Sequence, residues 1–220
     1  MKIIELKDVY FEYDREEGPV LRGFSVDVDE GDALILQGDN GSGKTTVLRV
    51  VNGLSFPGQG SYLFKGEAVT VDYLKDNGRA KRFHKAIGYL FQNPDTMLFN
   101  STVYDEIAFG PRQMGLTDEE VDRRVQDLLG LFELRDIRDR VPYHLSGGQK
   151  KWVALASVMA LDPEVVTLDE PFAGLDERRA AWLMGFLKEL KGAGRTLIIA
   201  THREGIAEEL GGRIIEMRSL

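Results

Sequence analysis

One run of eight residues, Gly38-Asp39-Asn40-Gly41-Ser42-Gly43-Lys44-Thr45, restricts what this chain can fold into more than any other stretch. It fits the pattern G-x-x-x-x-G-K-[ST], and its flanks supply the context that pattern needs. Ala33 to Gln37 is a short apolar run of buried-strand character, and Thr46 to Gly53 reads as a helix closing on a glycine. A strand, a glycine-rich turn and a helix N-terminus together form an anion cradle. Successive backbone N–H groups point inward, and the helix dipole adds partial positive charge where a phosphate would sit. In this pattern Lys44 reaches the β- and γ-phosphates of a nucleoside triphosphate, and the Thr45 hydroxyl faces Mg2+.

The chain of 220 residues is long enough for one α/β domain carrying an inserted lobe. Its net charge of −8 disfavours a nucleic-acid partner, which calls for a basic face. No apolar run approaches the ~18 residues of a membrane span, and the N-terminus has no signal-peptide pattern. Cysteine is absent, which removes disulfides, thiolate metal sites and a cysteine nucleophile and makes a cytoplasmic compartment the expectation.

Lys2 to Val9 and Phe24 to Val28 read as strands, with Gly18-Pro19 punctuating the turn between them. Tyr13 belongs to an aromatic cluster with Tyr10 and Phe11; it either packs across strands or offers its ring to an adenine face. Ser61 to Phe64 is a further strand, and the basic segment Lys75 to Lys85 reads as a solvated helix face. Ala86 to Phe91 is a buried strand, and Pro94 biases Asn93 away from helix, so Gln92 falls at a strand tip. From Ser101 to Ala160 the pattern is helical. Thr102 to Ala108 is an amphipathic run closed by Gly110-Pro111. Thr117 to Glu120 is a capping box opening a helix with Val121, Val125, Leu128, Leu129 and Phe132 on one face.

That helical lobe ends at Leu145-Ser146-Gly147-Gly148-Gln149 before a helix from Lys150 to Ala160. This is either a second anion cradle or simply a capped helix start. Glu164 to Glu170 then forms a buried strand ending in two carboxylates. Strand alternation sends Asp169 and Glu170 to opposite faces, one to hold Mg2+ and the other to act on an attacking water. Gly174-Leu175-Asp176 turns into a helix from Glu177 to Lys191. A strand from Arg195 to Ala200 delivers His202, a candidate γ-phosphate contact, and a helix and a strand from Arg213 to Met217 follow.

In order along the chain, these stretches resemble the nucleotide-binding subunit of ATP-binding-cassette (ABC) transporters over nearly its whole length. Gly38–Thr45 corresponds to the Walker A motif, Gln92 to the Q-loop and Leu145–Gln149 to the signature. Val165–Glu170 corresponds to Walker B, Gly174–Asp176 to the D-loop and His202 to the H-loop. Leu90 to Asp95, Leu98-Phe99 and Val103 to Pro111 are similar, more narrowly, to the energy-coupling-factor ATPases, which power uptake of vitamins and of metal ions such as cobalt and nickel.

The resemblance implies an α/β P-loop NTPase with a mostly parallel sheet core, an N-terminal antiparallel β subdomain and an inserted helical subdomain. Residues 1–92 would be the first part of a RecA-like core, 93–155 the helical insertion and 156–220 the second part of the core. It implies ATP hydrolysis with Mg2+ by a homodimer or heterodimer of ABC ATPases, seated on integral membrane subunits at the inner face of the cell membrane. Glu170, His202, Gln92 and Lys44 would be catalytic, and Thr45, Gln92 and Asp169 would organise the metal. ATP would lie against Tyr13, Gly38, Asn40, Gly41, Ser42, Gly43, Lys44, Thr45 and Thr46, with Ser146, Gly147, Gly148 and Asp176 reaching it from the second subunit. The other ABC reading is an ATPase acting on nucleic acid or the ribosome. The acidic charge, the single cassette and the lack of a long coiled coil between Gln92 and Leu145 count against it. Two features depart from the pattern: Asp39 brings a negative charge into the loop, and Arg203-Glu204 follows His202 where an acid often comes first.

Overall fold

The structure, a computed structural model, describes residues 1–14 and 18–218. β1 (Lys2–Phe11) and β2 (Leu21–Asp29) pair antiparallel, after which β3 (Ala33–Gln37) starts a second sheet and leads into α1 (Lys44–Val51). β4 (Gln59–Phe64) returns to pair with β1, and β5 (Glu67–Ala68) closes an antiparallel sheet of order β2-β1-β4-β5. Two helices, α2 (Val71–Lys75) and the basic α3 (Asn77–Ala86), precede β6 (Ile87–Leu90). A helical stretch follows with α4 (Val103–Gln113), α5 (Asp118–Leu131) and α6 (Gly147–Met159). The chain then alternates through β7 (Val165–Asp169), α7 (Glu177–Gly192), β8 (Thr196–Thr201), α8 (Ile206–Leu210) and β9 (Arg213–Glu216). The second sheet has the order β6-β7-β8-β3-β9, and all its pairs are parallel.

That sheet is covered on both faces, which is why β3, β7 and β8 read as unbroken apolar runs rather than as alternating strands. Alternation survives in which core each residue joins. Ile35, Val166, Leu168, Leu197 and Ile199 pack with the helical stretch and α7, whereas Leu34, Leu36, Val165, Ile198 and Ala200 pack with α1 and the antiparallel sheet. Parallel register brings the strand ends to one edge: Gln37 lies beside Thr201, Asp169 beside Ala200, and Leu90 beside Leu168. Ligands of open α/β sheets bind at such an edge.

Three local expectations are corrected. The helix opened by Thr102 is not closed at Gly110-Pro111 but continues to Gln113. Proline costs an interior helix roughly 3 kcal/mol. Here Pro111 is buried, and Gly110 lets the helix approach Leu161 so closely that an added Cβ would sit 3.0 Å from its Cδ2. The helix after the signature begins at Gly147 rather than Lys150, because Ser146 caps it. The basic segment from Lys75 breaks at Asp76, whose carboxylate caps α3 through the Arg79 N–H, and Ala86 ends that helix instead of starting β6. Both capping boxes, Thr117 with Glu120 and Ser146 with Gln149, are formed.

Candidate nucleotide site

The loop between β3 and α1 is shaped by what surrounds it. A Cβ on Gly38 would lie 2.1 Å from the Met217 carbonyl oxygen, so only glycine fits there. Gly43 adopts φ 91° as the N-cap of α1 and brings no capping side chain, which leaves the first-turn N–H groups for an external acceptor. Lys44 is buried, its ammonium folded back on the loop to donate to the Gly38 and Asp39 carbonyls at 2.6 and 2.8 Å. Ser42 Oγ is buried with no hydrogen-bond partner, an orphan that a phosphate oxygen would satisfy. The Asp39 side chain is exposed, and Asp39 does not line the cavity that holds Lys44 and Thr45.

The Thr45 hydroxyl donates to Asp169 Oδ2 at 2.7 Å, and the Tyr89 hydroxyl approaches the same oxygen at 3.4 Å. Burial pushes the Asp169 carboxyl above its ordinary pKa. The Thr45 hydrogen bond opposes that shift and the nearby Glu170 charge adds to it. Burial, together with the Asp169 charge, likewise holds the Tyr89 phenol protonated. Tyr89 carried no signal in the sequence, being one aromatic residue in a buried strand. Among the described residues no group of three His, Cys, Asp or Glu could hold a metal alone. A hydroxyl and one carboxylate beside a phosphate cradle do suit Mg2+, which takes few protein ligands and completes its shell with substrate oxygens and water.

Lys44, Thr45 and Asp169 line one cavity of about 430 Å³ that also takes in Tyr13, Asn40, Gly41, Gly43, Thr46, Gln92 and Glu170, whereas Gly38 and Ser42 do not line it. Gln92 lies just past β6 and is exposed. Tyr13 is 54% exposed; it packs edge-on against Phe11, with ring centroids 4.8 Å apart, and its hydroxyl lies 3.2 Å from Thr46 Oγ1. The ring thus packs on its own strand's end rather than across strands and leaves a free surface at the cavity mouth.

Glu170 corrects the strand-alternation argument. β7 ends at Asp169, and Glu170 turns left-handed at φ 45°, so both carboxylates line the same cavity. Their partners are what separate them. Glu170 accepts from the Thr201 hydroxyl at 3.2 Å and the His202 N–H at 3.1 Å, and His202 Nδ1 lies 3.0 Å from the same carboxylate. The imidazole is 66% exposed and reaches the cavity through Glu170. Arg203 packs over Phe172, its guanidinium 5.0 Å from the ring centroid.

Ser146, Gly147, Gly148 and Asp176 are not brought to this cavity within one chain. Ser146 and Gln149 satisfy each other, and Asp176 caps α7 through the Arg179 N–H at 2.8 Å. Gly147 is open, with no atom within 4 Å of where its Cβ would be. Gln149 and Asp176 share a separate cavity of about 620 Å³ walled by Phe132, Trp152 and Trp182.

Residues 21–173 match the model of the ABC transporter family. The nickel import ATP-binding protein LarO of Lactiplantibacillus plantarum is 43% identical over 217 residues, covering 99% of this chain and 89% of LarO. The energy-coupling factor transporter ATP-binding protein EcfA of Methanocaldococcus jannaschii is 42% identical over 202 residues, covering 92% and 71%. Among solved structures, the ATP-binding cassette MJ0796, a dimer in a post-hydrolysis state bound to ADP and Pi, superposes with a TM-score of 0.88 at 27% identity, covering 98% of this chain and 94% of that one. The chain belongs to the ABC transporter family, as one of its ATP-hydrolysing subunits.

Proposed function

We propose that this chain powers an energy-coupling-factor-type importer, paired with a second ABC ATPase and seated on membrane subunits that carry a metal ion or a vitamin. The observation that carries the reading is the division of the site. Lys44, Thr45, Asp169 and Glu170 share one cavity, while Ser146 and Gly147 stand outside it at the start of α6, where Gly147 is open to solvent. A site split this way is completed by a second chain placed head to tail.

ATP enters with its phosphates on the first turn of α1. The Lys44 ammonium exchanges the Gly38 and Asp39 carbonyls for phosphate oxygens, and the Tyr13 ring lies against adenine. Thr45 and Asp169, with Gln92 at the rim, hold Mg2+, which offsets phosphate charge when bound. Glu170 takes the proton of the attacking water, and His202, already on its carboxylate, contacts the γ-phosphate. Ser146, Gly147 and Gly148 of the second subunit close on the same phosphate, with Asp176 across the interface. Hydrolysis removes that bridge, so chemistry becomes opening of the pair.

The importer assignment is supported by the similarity to LarO and EcfA and by an apolar surface beyond Gln92. Phe99 is 67% exposed and meets Phe109 edge-on at 4.9 Å, and the exposed Tyr143 lines a cavity with Leu98. Among the described residues no helix is long and apolar enough to cross a membrane, so docking at the inner face needs partner subunits. In the test, Glu170→Gln retains ATP binding and stops phosphate release, and the chain co-purifies with membrane subunits whose metal or vitamin cargo is identified by mass spectrometry. Unchanged phosphate release in Glu170→Gln refutes the catalytic assignment. Co-purification with nucleic acid or ribosomes instead of membrane subunits refutes transport.

A further inference from the structure

Lys151 directly precedes the apolar run Trp152 to Ala156 of α6 and is only 6% exposed. An ammonium has three N–H donors and no acceptor, and burying it unpaired costs several kcal/mol. Here its partners are three main-chain carbonyls on the far side of a turn: Glu170 at 3.3 Å, Pro171 at 3.2 Å and Ala173 at 2.6 Å. That turn is the one that aims the Glu170 carboxylate. A non-glycine residue at φ 45° carries roughly 1–2 kcal/mol of strain and persists only where its surroundings over-determine it. Both ends of Glu170 are fixed: its N–H donates to the Ala200 carbonyl of β8 at 2.9 Å, and its own carbonyl accepts from the Ala173 N–H at 3.2 Å and from Lys151 at 3.3 Å.

We propose that Lys151 is a positioning residue for hydrolysis, clamping the Glu170 turn to the signature helix so that the helix sets where the carboxylate points. The inference rests on the role given above to Glu170. Lys151 stands five residues after Ser146, about 7.5 Å along the same helix. A displacement of α6 as its N-terminus engages the partner's nucleotide is passed to the Glu170 carbonyl while the Glu170 N–H stays anchored on β8. The Glu170 backbone turns between the two anchors, and its carboxylate shifts against the Thr201 hydroxyl and the His202 N–H that hold it. The signature serves the partner's site and Glu170 serves its own, so Lys151 links the two ATP sites of the pair.

The test is Lys151→Met in the full chain assembled with its partner subunit, alongside Glu170→Gln and the double variant. Lys151→Met is expected to lower kcat at least ten-fold, with the ATP KM and ATP binding within about two-fold of the parent. The double variant turns over at the Glu170→Gln rate, because the lysine acts through the carboxylate. Lys151→Gln, which keeps an N–H donor, falls between Lys151→Met and the parent. A kcat unchanged in Lys151→Met while Glu170→Gln is inactive overturns this inference and leaves the role of Glu170 standing. Retained turnover in Glu170→Gln overturns that role and this inference together. Losses that add in the double variant overturn the positioning role. Failure of both Lys151 variants to fold, read from ATP binding and thermal melting, assigns the lysine to the fold alone and overturns it too.

Discussion

Two glycines crowd their neighbours almost equally, yet substituting them should have opposite consequences. In Gly38→Ala the new Cβ would meet the Met217 carbonyl oxygen at 2.1 Å; in Gly148→Ala it would meet Arg179 Nη1 at 2.3 Å. Real Cβ atoms essentially never come within 3.0 Å of a neighbour, so about 1 Å must open in each case. At Gly38 the obstacle is backbone at the end of β9, and the Met217 N–H that donates to Gln37 at 2.7 Å is carried away with it. Overpacking of about 1–3 kcal/mol and a weakened hydrogen bond of about 0.5–1.5 kcal/mol sum to roughly 2–4 kcal/mol. For a chain of this size that lowers Tm by roughly 5–15 °C. At Gly148 the obstacle is the tip of a flexible side chain that swings aside, and alanine in a helix regains up to about 1 kcal/mol over glycine. Thermal unfolding of the nucleotide-free chains should therefore show a large drop for Gly38→Ala and a Tm within about 2 °C of the parent, or higher, for Gly148→Ala. Gly148→Ala should nonetheless lose ATPase activity, because on the proposed function the signature closes on the partner's phosphate, and the methyl group and the displaced Arg179 side chain crowd that approach. Equal Tm losses in the two variants would refute the argument that the nature of the obstacle, rather than its distance, sets the cost.

Asp169→Asn tests the buried carboxyl. Since burial holds the folded-state pKa above the unfolded value near 3.8, this group's stabilisation is fully present below that value and is lost as pH rises through the folded pKa. The asparagine variant, nucleotide-free, should thus be at least as stable as the parent at pH 7 in urea unfolding, with the gap closing as pH falls toward 4; a gap that widens toward acid would contradict the sign. Tyr13→Ala should weaken ATP binding by roughly 5- to 30-fold, the loss of about 1–2 kcal/mol of base stacking. It should leave Tm almost unchanged, since the ring is half exposed; an unaltered Kd in a fluorescence titration would remove Tyr13 from the adenine site.

The strands β3, β7 and β8 were legible because burial on both faces writes itself as an apolar run, and the Thr117–Glu120 capping box because its chemistry is local. The phosphate loop was legible for a similar reason: its function is carried by backbone, and glycine spacing records backbone directly. What stayed hidden depends on groups distant in the chain. Helix α4 continues past Gly110 because Leu161 lies against it, and Glu170 leaves the strand because Ala200 and Lys151 hold its two ends. Lys151 follows Lys150 in the polar first turns of α6, so nothing in the sequence set it apart from a solvated lysine.

The place of β3 between β8 and β9 constrains how the molecule is made. The strand that presents the phosphate loop leaves the ribosome early, but both of its sheet neighbours are encoded beyond residue 195. Until those last segments emerge, residues 33–37 have no ladder to join, and the nascent loop is an untethered glycine tract. Competence to grip a nucleotide is thus withheld from unfinished chains, and the long sequence separation of the pairing makes its closure a slow step in folding.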